Sequence, residues 1–447
     1  MNTMNNRVIP GSRKLVLFPL LLLISIGAHA FVYQTFDKTL SNGLKVITCE
    51  KPGSGYAEVE VWYRVGSKDE HAGIRGMAHM FEHMMFRGTK NVSGEQLLEK
   101  LDSSGAQWNA YTTFDRTVYH EYLPVNAVSM ALYLEADRMS NLVVTQEILN
   151  TEREVVGEEY RNGMSNWYEK MVEDRYEYLY PDGHPYQYDV IGHLDEITNF
   201  TAPECMDFYD KYYSPNNAFV VVVGDVKHDD IFAQCEKYFG PITKQLPAVV
   251  PGPSPDIMGT HVKTTDMELN FPLQIYCYSL SQPAAGSKDF FAFNMLADIF
   301  FTGDNSILNE RLVKKEHSVY FINQSNEAWS LYPSRTQFDV FMPPSPGNVK
   351  VKKAIRAEMD SVIANGLPQE KVNDFISNME AQQTLGAYSS ENIAGELGMA
   401  EYYFHDYNRA KTIVNDYKAV TQDDIKRVAA TYFSPDHVDV INIKPSF

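Results

Sequence analysis

Apolar residues alternate with polar ones in some stretches of the chain and recur every third or fourth residue in others. The two periods predict different elements. Ala57-Glu-Val-Glu-Val-Trp-Tyr-Arg-Val65 alternates, as a strand with two unlike faces does. Asn42-Gly43, inside Leu40 to Ile47, supplies the residue types of a tight hairpin. Trp108 to Leu123 reads as a strand pair. Gly94 to Leu101 has a helical period, and Ala127 to Asn141 and Gln146 to Tyr178 predict long helices. A further helix starts after Arg75-Gly76. Strands and helices are mixed rather than strictly alternating. The predicted class is therefore α+β, a mostly antiparallel sheet packed with helices.

One pattern occurs twice. Thr201-x-x-Glu204 leads to Tyr212-Tyr213-Ser214-Pro215 and an apolar run from Phe219 to Val223. At a constant offset, Thr421-x-x-Asp424 leads to Tyr432-Phe433-Ser434-Pro435 and the run from Val438 to Ile443. Each copy reads as a capped helix, a Ser-Pro turn and a β-branched strand. A repeat this long means a duplicated domain rather than a solenoid. Between the copies, Pro241, Pro247, Pro251, Pro253 and Pro255 mark a semi-rigid linker. The expected plan is two homologous domains, residues 31–240 and 261–447, joined by 241–260. A chain of 447 residues suits two domains of about 200.

The first thirty residues stand apart. Arg7, Arg13 and Lys14 precede an apolar run from Leu15 to Ile26 that ends in Ala28-His29-Ala30. This is the layout of a cleavable secretory signal, so residues 1–30 are expected to be removed after Ala30. The run is short for a spanning helix and contains Pro19. The expected location is periplasmic or secreted, with no membrane insertion after cleavage. The net charge of the whole chain is −19, and loss of those three basic residues makes it more negative still. Nucleic acid and anionic membranes are thereby disfavoured as partners. Cys49, Cys205, Cys235 and Cys277 form no metal-binding pair; buried thiols or one optional bridge are expected.

The candidate chemistry lies in His79-Met-Phe-Glu82-His83. On a helix, residues at i and i+4 share a face, so the two imidazoles can hold one Zn²⁺. Glu82 falls on the same side, where a carboxylate can take a proton from an activated water. The bland alternative is a solvated helix face. The apolar flanks, Gly76-Met77-Ala78 and Met84-Met85-Phe86, speak against it, because charge among apolar neighbours needs a partner or a metal. Met77, Met80, Met84 and Met85 are expected to be core filler. A third ligand is required. Its candidate source is the acidic run Glu152-Arg-Glu154-Val-Val-Gly-Glu158-Glu159.

With these motifs the chain resembles the pitrilysin/insulinase (M16) family of zinc peptidases, in its short two-domain form. Three further stretches carry the resemblance: Gly105 to Tyr119, His184-Pro185-Tyr186 with Val190-Ile191-Gly192, and Tyr213-Ser214-Pro215-Asn216-Asn217 leading into Val220 to Asp225. The resemblance implies one zinc per chain held by His79, His83 and Glu159, with Glu158 the rival one residue away. It implies Glu82 as general base and Glu152, two helical turns before Glu159, as a supporting acid. It implies that the strand around Asn109-Ala110 pairs with an extended peptide substrate. It matches Tyr320 to a substrate-contacting Tyr, whereas the companion Arg position holds Val313. Arg311 or a partner chain is then the substitute. The implied activity is that of a zinc-dependent endopeptidase acting on peptides or small unfolded polypeptides. A homodimer or a heterodimer with a homologous subunit is the implied assembly. The alternative is a non-catalytic or partner-dependent subunit that binds peptides.

Overall fold

Asn42 and Gly43 turn β1 (Gln34–Thr39) back onto β2 (Lys45–Glu50), so the predicted hairpin forms. Gly43 has φ +91°, a value costly for any residue with a side chain. The computed structural model describes residues 33–244, 266–269, 273–325, 329–345, 348–435 and 437–445. The expected signal segment, its cleavage point and most of the proline-rich linker lie outside the described residues.

The remaining strands of the first sheet are β3 (Tyr56–Tyr63), β4 (Gln107–Thr112), β5 (Thr117–Pro124) and β6 (Ala218–Gly224). Their order is β1-β2-β6-β3-β5-β4, with β2 and β6 parallel and the other neighbours antiparallel. The second sheet contains β7 (Asp266–Leu269), β8 (Gln274–Gln282), β9 (Phe321–Gln324), β10 (Ser334–Met342) and β11 (Val438–Pro445). Its order is β7-β11-β8-β10-β9, with β7 and β11 parallel. With β1 set aside, the two sheets have the same order and the same directions. The sequence repeat thus extends through both sheets. Thr201 and Thr421 each close a capping box with the acid three residues on.

On one face of the first sheet pack α1 (Met77–Met84), α2 (Gly94–Ser104), α3 (Val128–Asn141) and the helix Ala202–Tyr212. Val59, Val61 and Tyr63 of β3 meet Met80 and Phe81 of α1 in that core. The periodic run Gln146 to Tyr178 is not one helix but two, α4 (Gln146–Ser165) and α5 (Trp167–Leu179). Asn166 makes the break: its Oδ1 accepts the Tyr168 N–H at 3.0 Å and caps the new helix.

The break sends α5 onto the second sheet. Met171, Tyr176 and Leu179 pack against Ile275, Cys277, Phe341 and Ile443. Buried Arg175 of α5 donates to Asp339 Oδ1 of β10 at 2.5 Å and to Cys277 Sγ at 2.8 Å. The helix Ser390–Phe404 reciprocates, placing Ile393 and Leu397 against Trp62, Val118 and Val221 on the far face of the first sheet. β3 therefore has no wet face despite its alternating sequence. Glu58 is 1% exposed and Glu60 7%. Glu60 accepts from Trp62 Nε1 at 2.7 Å, and burial pushes its carboxyl up to about 8. All four cysteines are buried free thiols.

Candidate metal centre

α1 starts on Gly76, whose φ is +92°. A side chain there would also strike the backbone, since a Cβ would lie 2.6 Å from the Ile191 carbonyl oxygen. The segment Val190-Ile191-Gly192 is thus packed against the start of the helix. Glu70 receives the free helix-end donors: its Oε2 accepts from Gly76 N at 2.8 Å and its Oε1 from Ala78 N at 2.7 Å. Met77, Met80, Met84 and Met85 are buried, as expected of core filler, and so are Ala78 and Phe81. That fixes the rotation of α1 and turns His79, Glu82 and His83 toward α4 and β4.

There the structure brings the candidate ligands together. His79 Nε2 lies 3.8 Å from Glu159 Oε1, and His83 Nε2 lies 3.5 Å from Glu159 Oε2. One donor atom from each of the three residues falls within 4.8 Å of the others. Tetrahedral zinc with bonds of about 2.0–2.2 Å needs ligand atoms about 3.3–3.6 Å apart, so little movement is required. Two imidazoles and one carboxylate are also the donor set of hydrolytic zinc sites. The residues present therefore fit the ion. Glu158, the rival by one residue, points elsewhere and pairs with Arg161.

Glu152 stands behind His83. Its Oε2 lies 3.6 Å from His83 Nδ1, and Arg87 Nε meets its Oε1 at 2.6 Å. Burial works against the Glu152 charge, but His83 and Arg87 outweigh it and hold the carboxyl below its usual range. His83 has its own balance. Burial disfavours the imidazolium, yet contact with Glu152 and Glu159 lifts its pKa to about 9. His79 goes the other way because burial dominates. Among the described residues, its buried Nδ1 has no hydrogen-bond partner. Glu159 is the exposed member at 49%, so the cluster opens to solvent on its side. A cavity of about 630 Å³ adjoins it, lined by Glu159, Asn162, Tyr168, Glu169, Asp189 and Ser325 among others.

Glu82 is held from the strand side: Thr112 Oγ1 donates to Glu82 Oε2 at 2.7 Å. Thr112 ends β4, the edge strand that carries Asn109 and Ala110. Ala110 is buried toward α1 at 7% exposure, and Asn109 is exposed on the opposite face. Tyr320 is not part of this constellation. It precedes β9, the counterpart of β4 in the second sheet, and is 56% exposed. Val313 packs against the second core. Arg311 is committed to Glu316 at 2.8 Å and Glu358 at 2.7 Å. Sequence reasoning singled out neither Glu70 nor Arg87. Thr112 lay in a quoted stretch without a role.

The family model described as insulinase (peptidase family M16) matches residues 45–185, and the model described as peptidase M16 inactive domain matches 199–379. The zinc protease PqqE of Helicobacter pylori is 30% identical over 95% of this chain and 97% of its own. A probable mitochondrial-processing peptidase subunit beta of Schizosaccharomyces pombe is 30% identical over 52% of each chain. The crystal structure of a protease from Helicobacter pylori superposes with a TM-score of 0.83 at 27% identity, covering 93% of this chain and all of that one. Among the described residues, no helix is long and apolar enough to cross a membrane. By sequence and by fold, the chain belongs to the insulinase family of peptidases, M16.

Proposed function

We propose that this chain is an exported, zinc-dependent endopeptidase that hydrolyses peptides or small unfolded polypeptides. The observation that carries the reading is the approach of both Nε2 atoms to Glu159, with Glu82 beside them under the Thr112 hydroxyl. His79, His83 and Glu159 would hold the ion. Bound there, zinc would supply Lewis acidity toward a water and toward the scissile carbonyl. Glu82 takes the proton of the attacking water at a carboxylate oxygen and delivers it to the departing amine. Thr112 keeps that carboxylate aimed. Glu152, 3.6 Å from His83 Nδ1, would orient that ring so that Nε2 is the atom that holds the ion. No described strand pairs with the outer edge of β4, so an extended peptide can add there, past Asn109 and Ala110. The cavity beside Glu159 gives the peptide room.

A partner-dependent enzyme is the second reading, favoured by one observation. Val313 and Arg311 are both engaged inside the second half. A homologous subunit supplying an Arg beside Tyr320 would complete the substrate contacts, in a homodimer or heterodimer. The test is hydrolysis of an unfolded polypeptide by the purified chain, with matched zinc content in Glu82→Gln. Turnover in the native chain and its loss in the variant is the expected result. No turnover with or without a homologous subunit would exclude both readings. Export rests on the signal-like residues 1–30, and Met1 retained on protein from the native host would exclude it.

A further inference from the structure

Asp115 stands at the tip of the hairpin that joins β4 to β5 and is buried, at 2% exposure. The tip is closed without its carboxylate. Thr113 N donates to the Arg116 carbonyl at 2.8 Å, and Thr113 Oγ1 accepts from Asp115 N at 3.1 Å and Arg116 N at 3.2 Å. The Asp115 side chain reaches outward instead. Its Oδ1 accepts from Tyr186 Oη at 2.6 Å, and its Oδ2 accepts from Leu331 N at 2.9 Å and Tyr403 Oη at 3.1 Å. Tyr186 Oη in turn accepts from Leu331 N and Tyr332 N, each at 3.1 Å. Leu331 and Tyr332 belong to the connection between β9 and β10, which pair as β4 and β5 do. One buried carboxylate thus joins the equivalent edge hairpins of the two repeats, tip to tip.

The other side of the tip meets the segment that leads to the metal helix. Ser67 N donates to the Thr113 carbonyl at 3.2 Å and Lys68 N to the Phe114 carbonyl at 2.9 Å. Lys68 Nζ donates to the Asp115 carbonyl at 2.9 Å, and Glu70, two residues on, caps α1. A side chain on Gly66 would strike the Thr113 and Phe114 carbonyls, so the approach is close. Thr112, which holds Glu82, pairs with Thr117 directly below this tip. A shift of the tip carries Thr112 with it. A few tenths of an ångström take an O–H···O bond of 2.7 Å out of its favourable range.

We propose that Asp115 is a positioning residue for hydrolysis: by tying the hairpin tip to the second repeat, it sets the place of the Thr112 hydroxyl and, through it, of the Glu82 carboxylate. The inference rests on the peptidase reading and deepens it. The second repeat lacks the H-x-x-E-H motif, yet it acts on the chemistry through this one contact.

A double-variant cycle on the full chain at equal zinc content tests this. Asp115→Asn keeps the size and leaves one acceptor oxygen where the carboxylate has two. It should lower kcat about fivefold, the scale of one weakened hydrogen bond, with KM and zinc content unchanged. Combined with Thr112→Val, it should cost nothing beyond Thr112→Val alone, because the bond through which it acts is already gone. Hydrogen exchange read by mass spectrometry follows the tie without turnover. Exchange over residues 107–117 should quicken in Asp115→Asn, while β2 and β6 exchange as in the native chain. If Asp115→Asn does not fold, Tyr403→Phe, which removes one donor to the same carboxylate, takes its place in both measurements. Native kcat in the folded variant, losses that multiply in the double variant, or unchanged exchange over 107–117 would each overturn the proposal. A native zinc-loaded chain without turnover fails the peptidase reading instead, and the exchange measurement then decides the tie by itself.

Discussion

Thr112 holds Glu82. The hydroxyl at the end of the edge strand donates to one carboxylate oxygen of the helix at 2.7 Å, leaving the other oxygen for a water. Thr112→Val preserves shape and removes that bond. It should lower kcat about tenfold, with KM and zinc content unchanged, because a hydrogen bond to a charged group contributes roughly 1.5–3 kcal/mol. Glu82→Gln should cost more, on the order of 10²–10⁴ in rate. Steady-state kinetics at equal zinc content compare the two. A Thr112→Val enzyme with native kcat would remove the positioning role, and a near-normal Glu82→Gln enzyme would remove the general base.

His83 touches both Glu159 and Glu152, so it is the residue on which the cluster depends most. The native chain should carry one zinc and lose hydrolysis on chelation, with recovery on zinc addition. His83→Ala should lose most of the metal. Elemental analysis that finds one zinc per chain in folded His83→Ala would overturn the ligand set.

Glu152 is buried and touches no open side of the cluster. Glu152→Gln should weaken zinc 10- to 100-fold, the usual effect of losing an outer carboxylate behind a histidine. Competition with a chromophoric chelator measures this. Unchanged affinity would mean that His83 is oriented by burial alone.

The buried pair Arg175–Asp339 joins α5 to β10. Arg175→Met leaves a carboxylate without its partner and should cost roughly 3–5 kcal/mol. The double variant Arg175→Met with Asp339→Leu should recover much of the loss. Denaturant midpoints of the two variants provide the check. Equal stability in both would show that the charges are not coupled.

The assembly prediction follows from Val313 and Arg311. The active form should be a dimer of this chain or a pair with a homologous subunit. Light scattering of the chain alone and with such a homologue, alongside peptide hydrolysis, decides between them. A monomer with full activity that no partner alters would contradict it.

Several strands and two of the helix caps were legible because their signals are local. Asn42-Gly43 and the two threonine caps act within a few residues, and β3 follows from alternation. His79 and His83 were legible for the same reason, while the place of Glu159 came from the family spacing. What escaped depends on distant contacts. The helical period runs through Asn166, and a single capping bond splits it. Glu58 and Glu60 look like a solvated face until a helix more than three hundred residues later covers them. Glu70 caps α1 across a loop, a geometry no local motif announces.

The two covering helices hold the same place in the two repeats: each follows the second long helix after the sheet's edge hairpin. Each repeat therefore lends to the other what it cannot supply to itself. A chain with one repeat would leave a sheet face bare and would have to clasp a second copy to hide it. Carrying both repeats in one polypeptide makes that mutual cover permanent, at a fixed one-to-one ratio, and leaves the two free to differ, as they do in that only the first carries the H-x-x-E-H motif.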